Sequence, residues 1–404
     1  MIALALLALS PVAGLLAQDY TVIQWKKHVL SEVFTCEGAA AGDFNKDGVM
    51  DVAAGPWWYA GPDYKKQHEF YPVKVWKTDN EYSNNFFAFT DDFNKDGWTD
   101  IFVYGFPGAD VSWFENPQGK DGHWKKNLVH PKVDNESPQY EDVDGDGVRD
   151  VVCSVGGHLG YVTVADGKFH PISPKGGWQR FTHGLGLGDI NGDGRKDFIE
   201  SGGWWEQPAS LSGDPEWAKH PTNFGGGAQY YAYDVDGDGD NDVVGSLRAH
   251  GYGLAWWEHV KENGAIKLIQ RTIMNKTPEE NKYGLKFSQL HAVDLVDVDG
   301  DGLKDIVTGK RHFAHGSKGD DEPLAAPVLY WFKLARNPDG VDWIPYQIDD
   351  NSGVGTQVTA VDMNGDKRPD IVVGCKKGAF VHIQSAQKVT QSEWEKAQPQ
   401  PLAK

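Results

Sequence analysis

The chain has 404 residues, with 58 acidic side chains against 39 basic ones and a formal net charge of −19 at pH 7. An acidic excess of that size leaves no basic face for a phosphate backbone and excludes nucleic acid as a natural partner. Three cysteines are too few for a disulfide framework.

The N-terminal stretch MIALALLALSPVAGLLA, residues 1–17, is a short apolar run ending in small residues. It reads as a secretory signal peptide, although it lacks the usual Lys or Arg at its start. A periplasmic or extracellular protein with no transmembrane segment is therefore expected. Residues 18–385 read as one repeat domain and 386–404 as a polar tail.

The run QWKKHVL from Gln24 comes next and reads as a strand. After it, the pattern D-x-[DN]-x-D-[GK]-x-x-D recurs seven times, starting at Asp43, Asp92, Asp142, Asp189, Asp234, Asp297 and Asp362. The spacings are 49, 50, 47, 45, 63 and 65 residues, the length of a four-stranded propeller blade. The expected fold is all-β: a seven-bladed β-propeller with a calcium-binding loop in each blade. QWKKHVL would complete the last blade and close the ring.

Each loop places carboxylate or carboxamide oxygens at positions 1, 3, 5 and 9, and a glycine at position 6 allows the sharp turn that lets them converge on one hard cation. The expected Ca²⁺ ligands are Asp43, Asn45, Asp47 and Asp51 in the first loop, then Asp92, Asn94, Asp96 and Asp100 in the second. Asp142, Asp144, Asp146 and Asp150 form the third set, and Asp189, Asn191, Asp193 and Asp197 the fourth. The fifth is Asp234, Asp236, Asp238 and Asp242, and the sixth Asp297, Asp299, Asp301 and Asp305. The last, Asp362, Asn364, Asp366 and Asp370, has Lys367 in place of the glycine and is expected to bind weakest. These loops also account for most of the negative charge.

Between loops the chain repeats an aromatic pair, as at Trp57-Trp58, Trp204-Trp205 and Trp256-Trp257, whose rings should pack one sheet on the next. Glu115, Glu206 and Glu258, which follow such pairs, read as surface features of the blade. Cys153, in the run VVCSV, reads as a buried small side chain, whereas Cys36 and Cys375 fall in the first and last repeats, where a bridge would join them. Longer spacings place insertions at about 258–283 and 312–327.

Counting six residues back from each first Asp gives Glu37, Phe86, Glu136, His183, Ala228, His291 and Thr356, which should ring the mouth of the central channel. The turns after the second strands should return to that face with Arg248, His250, Tyr252, Lys310, Arg311, His312, His315, Lys376 and Lys377. Such a gathering of histidines and cations in a concavity is a candidate site. Glu37, Glu136, His183 and His291 offer the donor mix for Zn²⁺ or another divalent ion at the channel mouth. Without a metal, His291 or His183 would act as base, Lys310 and Arg248 would hold a developing enolate or a carboxylate, and Tyr252 or His312 would protonate a departing oxygen.

The loops resemble the FG-GAP/VCBS repeats of integrin-α-like propellers, which implies a calcium-bearing propeller. The segments THGLGLGDINGDGRKD, SQLHAVDLVDVDGDGLKD and GKRHFAHG, with the WWE and WFENP turns, look more narrowly like the propeller domain of the aldos-2-ulose dehydratase family. That resemblance implies a carbon-oxygen lyase performing β-elimination on a keto-sugar or uronic-acid-type carbohydrate. The competing reading is a non-catalytic module that binds a glycan or a protein partner across the same face.

Overall fold

The computed structural model describes residues 20–403; the expected signal peptide lies outside the described residues. Every loop opens onto a strand that begins at its ninth-position aspartate: Asp51–Ala54, Asp100–Tyr104, Asp150–Val155, Asp197–Glu200, Asp242–Ser246, Asp305–Gly309 and Asp370–Cys375. Its carboxylate is buried, and one oxygen accepts the backbone N–H of loop position 2, as Asp51 does from Phe44 at 2.9 Å and Asp305 from Val298 at 2.9 Å. The other oxygen commonly accepts an N–H just after the third strand or within it, as from Asn116 to Asp100 at 2.7 Å. The same aspartate thus anchors both the loop and the next strand, which is why the repeat motif and the sheet register coincide.

The strands before the loops, among them Ala39–Gly42, Asp134–Glu141, Leu185–Gly188 and Gln229–Tyr233, pack against one another around a common axis. The fold is all-β in its core, a β-propeller whose sheets radiate from that axis. The expectation of seven separate blades is corrected by the strand order. Five four-stranded sheets stand as individual blades, while the fourth and fifth repeats join in one continuous eight-stranded sheet. There Leu185–Gly188 pairs in parallel with Gln229–Tyr233, in the register Leu185↔Gln229, Gly186↔Tyr230 and Leu187↔Tyr231. Glycine is the reason. A Cβ on Gly186 would lie 2.2 Å from the Tyr230 carbonyl oxygen, and one on Gly188 would lie 2.3 Å from the Ala232 Cβ. With no side chain there, the two backbones approach closely enough to bond.

At the chain ends, Tyr20–Ser31 pairs antiparallel with Gly378–Val389 as the outer strand of the sheet that also holds Asp370–Cys375 and Val358–Val361. That last strand runs four residues past 385 into the expected tail, which then forms a short helix, Gln391–Ala397, capped by Thr390. The aromatic pairs are largely buried: Trp204, Trp205, Trp257 and Trp331 are each at most 3% exposed. Cys36, Cys153 and Cys375 are free thiols, all buried, and Cys375 is occupied with the Ser352 carbonyl at 3.1 Å.

The axis itself is plugged by amides. Gln357 spans from the last repeat to both the N–H and the carbonyl of Ala88, at 2.9 Å each. Gln229 accepts from Val293 N at 3.0 Å and donates to the Thr356 carbonyl at 3.3 Å, and Gln139 donates to the Tyr230 carbonyl at 3.1 Å. Backbone groups left unpaired where the inner strands meet are satisfied by these side chains.

Candidate metal centre

Glu136 sits in the strand Asp134–Glu141, whose register with Asp150–Val155 breaks between Asp134 and Gln139. In this irregular stretch Asn135 takes a φ of 96°, and the N–H of Glu136 bonds the Thr182 carbonyl at 2.9 Å. The bulge therefore turns Glu136 toward the segment that carries His183. Gly184 follows at φ 81°, with its N–H on Ser137 Oγ at 3.2 Å and no room for a Cβ beside Tyr230.

His291 arrives from the opposite side of the axis after Gln289, a fully buried residue held at φ 60°. The N–H of Gln289 is tied to the Gly251 carbonyl at 2.5 Å, and its own carbonyl accepts Arg311 N at 3.0 Å. A non-glycine residue in that region stores strain, which the surrounding bonds must hold. Through Gly251 the same contact fixes the turn Arg248–Gly253, on which His250 stands.

These elements bring together one donor atom each from Glu136, His183, His250 and His291, all within 4.8 Å of one another. His183 Nε2 lies 3.2 Å from His291 Nε2 and 3.0 Å from His250 Nε2. Glu136 Oε2 is 3.5 Å from His183 Nε2 and 3.4 Å from His291 Nε2. Four ligands about 2.0–2.1 Å from a tetrahedral ion are separated by about 3.3 Å along each edge, and these four spacings bracket that value. Three imidazoles and one carboxylate suit a first-row divalent ion such as Zn²⁺.

The electrostatics agree. Burial pushes the Glu136 carboxyl upward, but hydrogen bonds from His183 and His291 outweigh it and hold the group well below the usual carboxylate range. His291 is wholly buried and its pKa falls to about 4, chiefly by desolvation, so it is neutral and able to ligate at ordinary pH. The centre is reached from the side of His250, whose side chain is 29% exposed, whereas that of His291 is fully enclosed.

Of the four donors read from the sequence, the structure unites Glu136, His183 and His291, and replaces Glu37 with His250. Glu37 is buried against Arg311, with which it forms an ion pair. His250 was placed on this face but not among the donors, because it comes from a turn outside the six-residue count; its sequence signal is the cluster SLRAHGYG. Arg248 is exposed and lines a cavity of about 410 Å³ with His250, Gly226 and Asp321. Lys310 is completely buried, with Nζ on the Arg311 carbonyl at 3.3 Å and a pKa lowered to about 8 by burial. Tyr252 is pushed up to about 12 by burial and by its hydrogen bond to Glu322. His312 falls to about 4 by burial, with its ring against Phe313. Lys376 is enclosed by the rings of Phe34, Tyr82 and Phe313, and donates to the Thr78 carbonyl at 2.9 Å.

Three of the seven repeat loops gather three acids each. Carboxylates of Asp142, Asp144 and Asp146 lie within 4.8 Å of one another, as do those of Asp234, Asp236 and Asp242 and those of Asp297, Asp299 and Asp305. Each first-position Asp already receives loop N–H groups, as Asp92 does from Gly97 at 2.7 Å. Lys367 takes φ 68° and its N–H reaches Asp362 at 2.8 Å, so lysine adopts the left-handed turn that glycine supplies elsewhere. In the sixth loop the ammonium of Lys333 pairs with Asp299 and Asp301.

No helix among the described residues is long and apolar enough to cross a membrane. No curated protein matches the chain. A family model described as an FG-GAP-like repeat matches residues 92–153 and 297–373, and these matches, with the radiating sheets, support a repeat propeller.

Proposed function

We propose that this propeller is a divalent-metal-dependent carbon-oxygen lyase that acts on a carbohydrate bearing a carbonyl group, with structural calcium in its repeat loops. The observation that carries the reading is the convergence of Glu136, His183, His250 and His291 on one point. A divalent ion there, expanding to a fifth ligand, would acidify the carbon next to a carbonyl by holding the oxygen on which charge develops. In the elimination a base takes the α-proton, the C–H electron pair becomes a C=C bond, the β C–O bond breaks, and the departing oxygen receives a proton. Arg248, exposed on the cavity beside His250, would hold the developing charge, a contribution of roughly 3–4 kcal/mol for a well-placed donor. With the Nε2 atoms of His183 and His291 turned into the cluster, proton abstraction falls to the rim, where the His315 side chain is 55% exposed. Calcium-dependent loops fit a periplasmic or extracellular site of action.

The test is to incubate metal-loaded protein with ketosugars and polyuronides and to follow the ultraviolet absorbance of an enone. The reading requires absorbance to rise with wild type and to be lost in His291→Ala. No absorbance change from either class, or a fully active His291→Ala, would end it. Retention of such a glycan without turnover would assign a binding module instead.

A further inference from the structure

The insertion at 312–327 brings one buried carboxylate to the back of the metal centre. Asp320 has a side chain only 2% exposed, although it belongs to a strandless loop. Its Oδ2 accepts the N–H groups of Ala314 and His315, each at 2.8 Å. Its Oδ1 receives His315 Nδ1 at 2.7 Å and lies 3.6 Å from His250 Nδ1. His250 Nδ1 is buried with no closer partner, and the rings of His250 and His315 are 4.6 Å apart. The loop is pinned as well: Ser317 N bonds Asp79 Oδ1 at 3.2 Å, and Ser288 Oγ and Gln289 Nε2 both donate to the Asp321 carbonyl.

We infer that Asp320 is the positioning residue of this centre, a single carboxylate that orients the ligand His250 on one side and His315 on the other. A ligating histidine is set in tautomer and orientation by whatever its second nitrogen faces, and a carboxylate there also raises its basicity. With Nδ1 of both rings turned to Asp320, His250 presents Nε2 to the ion, and His315 leaves Nε2 free at the rim to accept a proton. Because Asp320 also caps two N–H groups of its own loop, the insertion is part of the centre's frame and not a detachable cover.

This inference rests on the metal-centre reading, and the test separates the two. Full-length protein in calcium buffer is titrated with Co²⁺, and affinity and visible spectrum are recorded for wild type, Asp320→Asn and His315→Ala. Asparagine retains an oxygen for the Ala314 and His315 N–H groups but removes the charge. Asp320→Asn should bind Co²⁺ about 10–100-fold more weakly, with a changed visible band, while His315→Ala should keep the wild-type band. Wild-type affinity and spectrum in Asp320→Asn overturn the positioning role and leave the metal centre standing. No Co²⁺ uptake by wild type overturns both. Should Asp320→Asn show no cooperative melt, Asp320→Glu, which keeps the charge but displaces the oxygen, must shift the cobalt band for the role to survive.

Discussion

His250 shows where counting along the chain stops. The six-residue offset from each loop exposes Glu136, His183 and His291, because a repeat places equivalent residues at equivalent points around the axis. It gives Glu37 the same standing, yet Glu37 is buried with Arg311, and the fourth donor comes from the turn after a second strand, which the offset does not reach. Buried ion pairs cost several kcal/mol to break from one side, so Arg311→Met should destabilise the fold more than Arg248→Met, which removes an exposed side chain. Urea melts of the two variants decide this, and equal midpoints would contradict it. A milder case is Gln229→Leu. It strips the Val293 N–H and the Thr356 carbonyl of their partner, at about 1–3 kcal/mol for each buried group left unsatisfied. A urea midpoint unchanged from wild type would show that the amide plug does not matter.

The repeat loop is an element with two functions, anchoring a strand and gathering acids, and they conflict when no cation is present. Burial raises the ninth-position carboxyls: Asp51, Asp100 and Asp370 to about 6, Asp150, Asp197 and Asp242 to about 7, and Asp305 to about 8. A carboxyl whose folded pKa is raised contributes stability that is fully present below its unfolded pKa and is lost as pH rises through the folded value. His291, His312 and His382, each lowered to about 4 by burial, act in the opposite direction below about 6.5, as do His28 and His68, also lowered by burial, but these five are outnumbered by the seven raised carboxyls. Protein freed of metal by chelation should therefore melt at a higher temperature at pH 5 than at pH 6.5. Added calcium should remove or reverse the difference, and a metal-free melt that rises toward pH 6.5 would contradict the burial argument. The fused sheet is the element that periodicity could not show, since the motif spacing is the same whether adjacent inner strands splay or pair. Only the absence of Cβ at Gly186 and Gly188 permits pairing. Gly186→Ala should separate those strands and lower stability by more than a typical surface change of about 0.5 kcal/mol; an unchanged thermal melt would contradict the close approach.

The propeller as an assembled object places its chemistry where no single repeat could. Repeats from the third to the sixth each contribute one donor, so the centre exists only once the inner strands have come together around the axis. The loops, the aromatic pairs and the acidic charge were all legible from the sequence, because each recurs and is local. Three of the four clustered donor side chains were legible, and the loop behind them was not, because Asp320 lies in an insertion whose course is set by contacts with Asp79, Ser288 and Gln289 far away in the chain. Metal analysis of protein dialysed against calcium, comparing wild type with His183→Ala and His250→Ala, tests this arrangement most directly. Wild type should retain about one equivalent of a first-row divalent metal per chain, and each variant should lose it while its circular dichroism stays that of wild type. A wild type that retains no such metal, or a His250→Ala protein that retains all of it, would contradict the centre described above.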